Sequence, residues 1–155
     1  MAYSAVGGLL ASPGGPGGLC ARVWQADTGV SLRTLPGHAS LVMCTIFSKE
    51  GTMLITGAAD CSIRLWQVPS GQALRALTAH ASIVMCLALS SDSRFLASGS
   101  ADNSIMVWDL LEDRDCSTPK RAILGHSRHV MALAFTPEND LLSGSRDGTT
   151  RLWAM

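Results

Sequence analysis

Short apolar runs alternate with tight polar breaks from residue 41 to residue 77, and the runs are too short for helices. Leu41 to Phe47 is apolar and partly β-branched, Ser48-Lys49-Glu50-Gly51 is a turn, and Met53 to Gly57 is a second run. Ala58-Ala59-Asp60 turns the chain again, Ser62 to Gln67 follows, and Pro69-Ser70-Gly71 breaks it before Ala73 to Leu77. This pattern predicts four short strands joined by turns. The run Val42 to Phe47 is apolar on both faces, as a strand packed between two other sheets must be.

The same pattern recurs. A shift of 42 residues superimposes His38 on His80, Val42 on Val84, Cys44 on Cys86, Thr56 on Ser98, Asp60 on Asp102 and Trp66 on Trp108. A further copy keeps the order with His126, Val130, Ser143, Asp147 and Trp153. A repeat of about 40 residues that predicts four strands has the length of one propeller blade. From tryptophan to the next histidine there are 14 residues after Trp24 and Trp66 but 18 after Trp108, and the extra length lies in the polar stretch Glu112 to Lys120. Within it, Thr118-Pro119-Lys120 has the form of a proline-directed phosphorylation site on an exposed loop.

The first copy is degenerate. Leu9 to Ser12 reads as a second strand and Leu19 to Trp24 as a third, with Pro13-Gly14-Gly15-Pro16-Gly17-Gly18 between them as a flexible loop. It contains no aspartate, and it lacks the Gly-Lys-Ser/Thr ending of a phosphate cradle. The expected divisions are residues 1–30 for this partial blade, then 31–78, 79–124 with the long loop, and 125–155 for a last blade without its outer strand.

Composition narrows the function classes. Of 155 residues, 47% are apolar and 15% charged, enough for a sizeable core. Twelve basic and twelve acidic residues cancel, so no net field favours nucleic acid or an anionic membrane. No apolar run approaches a membrane span, and Met1 to Ala11 lacks the basic residues that open a secretory signal. The five cysteines are odd in number and form no Cys-x-x-Cys pair. No metal site or cofactor is expected, and the compartment expected is cytoplasmic or nuclear.

Gly37-His38, Gly125-His126, Leu65-Trp66, Val107-Trp108-Asp109 and Leu152-Trp153, with Ser98-Gly99-Ser100-Ala101-Asp102 and Ser143-Gly144-Ser145-Arg146-Asp147 between, resemble the motifs of the WD-repeat β-propellers. Ala79 replaces the glycine before His80, and Gln25, Gln67 and Ala154 replace the aspartate after tryptophan, an end of the motif expected to face the surface. The resemblance implies an all-β, partial and open propeller of four-stranded antiparallel blades. It also implies a buried tetrad per repeat: His38, Thr56, Asp60 and Trp66; His80, Ser98, Asp102 and Trp108; His126, Ser143, Asp147 and Trp153. Imidazole, carboxylate, hydroxyl and indole supply complementary donors and acceptors, so burial together requires that all be paired. Threefold recurrence of a Ser/Thr-His-Asp set argues for a structural device, since a catalytic triad is needed once; a hydrolase-like propeller enzyme is the alternative.

By resemblance the chain is a non-catalytic scaffold or adaptor whose protein partner docks on the face carrying the loops before the first strand and between the second and third. Leu41, Ala59, Ile83, Ala101, Arg128, His129 and Arg146 occupy those loops, and the last three form a cationic group suited to an acidic or phosphorylated peptide. Fewer strands than a ring needs would leave open faces and edges, so the chain is expected to be a fragment or isoform of a longer propeller, or to self-associate.

Overall fold

The computed structural model describes residues 1–14, 16–111 and 118–155. The expected insertion therefore falls largely, at residues 112–117, outside the described residues. The described chain is an all-β, open partial propeller of four antiparallel sheets. The first contains β1 (Ala2–Ser4), β2 (Leu9–Gly14), β3 (Cys20–Gln25) and β4 (Ser31–Pro36). The second contains β5 (Val42–Phe47), β6 (Met53–Ala58), β7 (Ser62–Gln67) and β8 (Ala73–Thr78). The third contains β9 (Val84–Leu89), β10 (Phe95–Ser100), β11 (Ile105–Asp109) and β12 (Arg121–Ile123), and the last β13 (Val130–Phe135), β14 (Leu141–Ser145) and β15 (Thr150–Trp153).

The first sheet corrects three expectations. It has a first strand, Ala2–Ser4, paired through Tyr3 with Leu10. The Gly/Pro stretch is not wholly loop: Pro13 and Gly14 continue β2 opposite Ala21 and Cys20, and a short 3-10 turn covers Pro16–Gly18. Ser31–Pro36 is the outer strand of this same sheet, with Val23 opposite Arg33, so the first sheet runs past residue 30 to the end of β4.

The apolar cores lie between sheets, which is why the strands read as apolar on both faces. Each sheet has a leading leucine–tryptophan pair across its second and third strands: Leu10 opposite Trp24, Leu54 opposite Trp66, Leu96 opposite Trp108, and Leu141 opposite the last tryptophan, Trp153. One residue later in β2, β6, β10 and β14, and one earlier in the partner strand, a trailing pair faces the other way: Ala11–Val23, Ile55–Leu65, Ala97–Val107 and Leu142–Leu152. The trailing pair of one sheet packs on the leading pair of the next. Ala11 and Val23 meet Leu54 and Trp66, Ile55 and Leu65 meet Leu96 and Trp108, and Ala97 and Val107 meet Leu141 and Trp153. Trp66 and Trp108 are only 2% exposed as a result.

Two glycines set how closely the sheets approach. A Cβ on Gly57 would lie 2.6 Å from Val84 Cγ1 and 2.7 Å from Cys44 Sγ, and one on Gly99 would lie 2.6 Å from Val130 Cγ1 and 2.7 Å from Cys86 Sγ. At the equivalent Gly144 the nearest atom is 3.8 Å away. Overpacking a rigid junction costs roughly 1–3 kcal/mol. Gly99→Ala is therefore expected to lower the denaturant midpoint by an amount equivalent to about 1–3 kcal/mol, and Gly144→Ala to change stability by less than about 0.5 kcal/mol. Equal effects in chemical denaturation would contradict this packing.

Candidate functional site

Each of the last three sheets brings four predicted side chains into one hydrogen-bonded chain. In the second sheet, Trp66 Nε1 donates to Thr56 Oγ1 at 3.0 Å, Thr56 Oγ1 lies 2.7 Å from His38 Nε2, and His38 Nδ1 lies 3.0 Å from Asp60 Oδ2. In the third, Trp108 donates to Ser98 at 3.0 Å, and His80 spans Ser98 at 2.8 Å and Asp102 at 2.9 Å. In the last, Trp153 donates to Ser143 at 2.8 Å, and His126 spans Ser143 and Asp147, both at 2.8 Å. One tautomer satisfies every atom. The indole donates to the hydroxyl, the hydroxyl to Nε2 of a neutral imidazole, and Nδ1–H to the carboxylate.

A fifth member completes each set. Ser62, Ser104 and Thr149, two residues after the aspartates, donate their hydroxyls to Asp60, Asp102 and Asp147 at 2.6 Å and their backbone N–H to the same carboxylates at 2.9–3.0 Å. Their signal was present in the sequence as a recurring Asp-x-Ser/Thr. The N–H after each histidine, at Ala39, Ala81 and Ser127, reaches the other carboxylate oxygen at 2.8–3.0 Å.

Each aspartate thereby clamps the loop before the first strand to the loop between the second and third. A backbone bond repeats the clamp: Ala59 N–H donates to the Leu41 carbonyl at 2.8 Å, Ala101 to Ile83 at 2.9 Å and Arg146 to His129 at 2.9 Å. Six of the seven residues singled out for a partner are thus paired two by two at one end of the sheets. The seventh, Arg128, holds the Ser145 hydroxyl through its carbonyl at 2.9 Å. Leu41, Arg128 and Arg146 are exposed, and Ala59, Ile83, Ala101 and His129 half-buried.

Electrostatics follow from this geometry. Burial acts to raise Asp60, but the Ser62 hydroxyl, the Ala39 and Ser62 N–H groups and His38 outweigh it and bring the carboxyl down to about 2. For Asp102, burial is likewise overcome by the Ser104 hydroxyl, and for Asp147 the Thr149 hydroxyl is the largest influence; both are lowered. Desolvation lowers His38 despite Asp60, which keeps the imidazole neutral. Leaving one member of such a buried ionised set without its partner costs about 3–5 kcal/mol.

The hydroxyls of this set do not form a nucleophile site. Thr56, Ser98 and Ser143 are buried, and each oxygen is already occupied by an indole N–H on one side and an imidazole on the other. Catalysis would need that oxygen open to a substrate carbonyl. In the first sheet only a remnant exists, Trp24 Nε1 donating to Ser12 at 2.9 Å.

Two other expectations change or gain content. Asp109, expected to face the surface, has a side chain only 1% exposed, and it accepts from Arg94, Lys120 and the Leu111 N–H. Arg94 and Lys120 also lie 5.0 and 5.5 Å from the Phe95 ring centre. Burial pushes the Cys44 and Cys86 thiols up to about 12, and their sulfurs face the Val84 and Val130 carbonyls of the next sheet, so they pack as small apolar groups. Among the described residues, no group of three or more His, Cys, Asp or Glu side chains is placed to hold a metal.

The family described as "WD domain, G-beta repeat" matches residues 29–67, 71–109 and 117–154. The chain belongs to the WD-repeat family. No curated protein matches it significantly. Each matched WD repeat begins with the outer strand of one sheet and ends with the third strand of the next, so the sequence repeat stitches neighbouring blades together. β1 to β3 lie outside the matched ranges.

The titrating groups set a pH dependence. Because His38 binds its proton less well when folded, the unfolded WD chain takes the proton up first and stability falls as pH drops below about 6.5. Asp60, with an ordinary value of 3.8 and a folded value of about 2, then loses its contribution as pH falls from about 4 to about 2. The thermal midpoint measured from pH 8 to pH 2 is expected to decline in these two ranges, and a midpoint that rises on acidification would contradict the assignment.

Proposed function

We propose that this chain is a non-catalytic scaffold that presents its clamped loops to a protein partner in the cytoplasm or nucleus. Repeats of this family generally mediate protein–protein interaction. The observation that carries the reading here is the threefold carboxylate clamp, which fixes both loops at one end of the second, third and last blades before any partner arrives. A pre-organised surface loses less conformational entropy on binding than a mobile one.

Within that surface the last blade supplies the charge. Arg128, His129 and Arg146 sit on two loops joined by the Arg146–His129 backbone bond, and no salt bridge or hydrogen bond from either guanidinium occurs among the described residues. The second and third blades present Leu41, Ala59, Ile83 and Ala101 at the equivalent places. The partner segment favoured is an acidic or phosphorylated peptide carrying apolar side chains beside its charge. The double variant Arg128→Glu/Arg146→Glu, assayed on an array of acidic and phosphorylated peptides, is expected to lose at least about tenfold in affinity with an unchanged melting midpoint. Unchanged binding would remove the cationic group from the interface.

A further inference from the structure

The three junctions inside the chain define what a fourth would need, and the molecule carries both halves of one uncovered. The trailing pair of the last blade, Leu142 opposite Leu152, occupies the register of Ile55–Leu65 and Ala97–Val107. Those equivalents are almost fully buried by the next blade, whereas Leu142 is 39% and Leu152 61% exposed. At the other end, the leading pair of the first blade, Leu10 opposite Trp24, occupies the register of Leu96–Trp108. Tyr3, opposite Leu10, stands where Leu89 stands opposite Leu96 and is 62% exposed, while Leu89 joins the second between-sheet core. An open cleft of about 300 Å³ lies over this face, lined by Met1, Leu10, Ser12, Trp24, Gln25 and Gly29.

We propose that the trailing face of the last blade docks on the leading face of the first blade of a second copy of this chain. The occupant is specified by the three existing junctions: wherever a trailing pair is covered, a leucine–tryptophan pair covers it, and the uncovered leucine–tryptophan pair is Leu10–Trp24. The sheets of one chain do not close on themselves, and a second copy supplies the complementary face to each open end. The contact is heterologous, and two copies close it: each gives one trailing and one leading face, producing two identical junctions and a ring of eight sheets, within the usual range of propellers. Two apolar faces exposed on a small protein are otherwise an association hazard. The dimer is independent of the peptide-binding reading, because none of these residues belongs to the clamped loops.

Sedimentation velocity on the full chain, from about 1 to 100 µM, tests the inference. The wild-type chain is expected to approach twice the monomer mass at the upper end. Leu152→Asp and Leu10→Asp should each raise the dissociation constant at least about tenfold, because each spoils both junctions of a homodimer. An equimolar mixture of the two variants should recover a dimer, since it retains one junction with two intact faces. Circular dichroism checks the fold of each variant, and Tyr3→Asp replaces Leu10→Asp if that chain does not fold. A wild-type monomer throughout would overturn the proposal and leave further blades of a longer chain as the natural cover. Dissociation by only one class of variant, or no recovery on mixing, would overturn the head-to-tail geometry.

Discussion

A buried imidazole must find a partner for both nitrogens, and meeting that requirement three times organises the described molecule. His38, His80 and His126 each sit before the first strand of a blade, Thr56, Ser98 and Ser143 in its second, and the tryptophans in its third. Joining them fixes three segments distant in sequence at one depth in the sheet. The aspartates extend the same chain of bonds outward to the loops. One polar thread therefore connects core packing with the exposed rim, and rigidity of the binding surface follows from stability of the interior. Burial keeps His38 neutral, so it anchors without placing a second buried charge beside Asp60.

The apolar part of the fold obeys a different constraint. No single sheet contains a core. Each supplies half of one on either face, and stability is a property of junctions, as in other repeat proteins. Gly57 and Gly99 allow the approach, Cys44 and Cys86 fill the remaining space, and the tryptophans serve both systems, with their rings in the between-sheet core and their N–H groups in the polar thread. Cutting such an array anywhere exposes two complementary apolar faces.

The tetrads were legible in the sequence because histidine, aspartate and tryptophan are chemically distinct and recur at nearly fixed spacing. The strands of the second and third blades were legible for the related reason that both faces are apolar and glycine or serine breaks follow at regular intervals. The fifth hydroxyl escaped notice because Ser62, Ser104 and Thr149 are common polar residues in turns, where their presence needs no special cause. Pro13 and Gly14 were misread since neither favours a strand interior; here Cys20 and Ala21 supply a partner strand that overrides local preference. β1 has three residues, too few for a periodic signal. Asp109 was placed on the surface by its position at the end of the motif, but the half-exposed Arg94 and Lys120 side chains cover its carboxylate and a backbone N–H also pairs with it.

The most direct test of the polar thread is long-range proton–nitrogen correlation NMR of the imidazole rings near pH 7. The account predicts that His38, His80 and His126 appear as neutral rings protonated at Nδ1, with the three aspartates ionised. Rings protonated at Nε2, or averaging between tautomers as a solvent-exposed histidine does, would show that the hydroxyl-to-imidazole-to-carboxylate order is wrong.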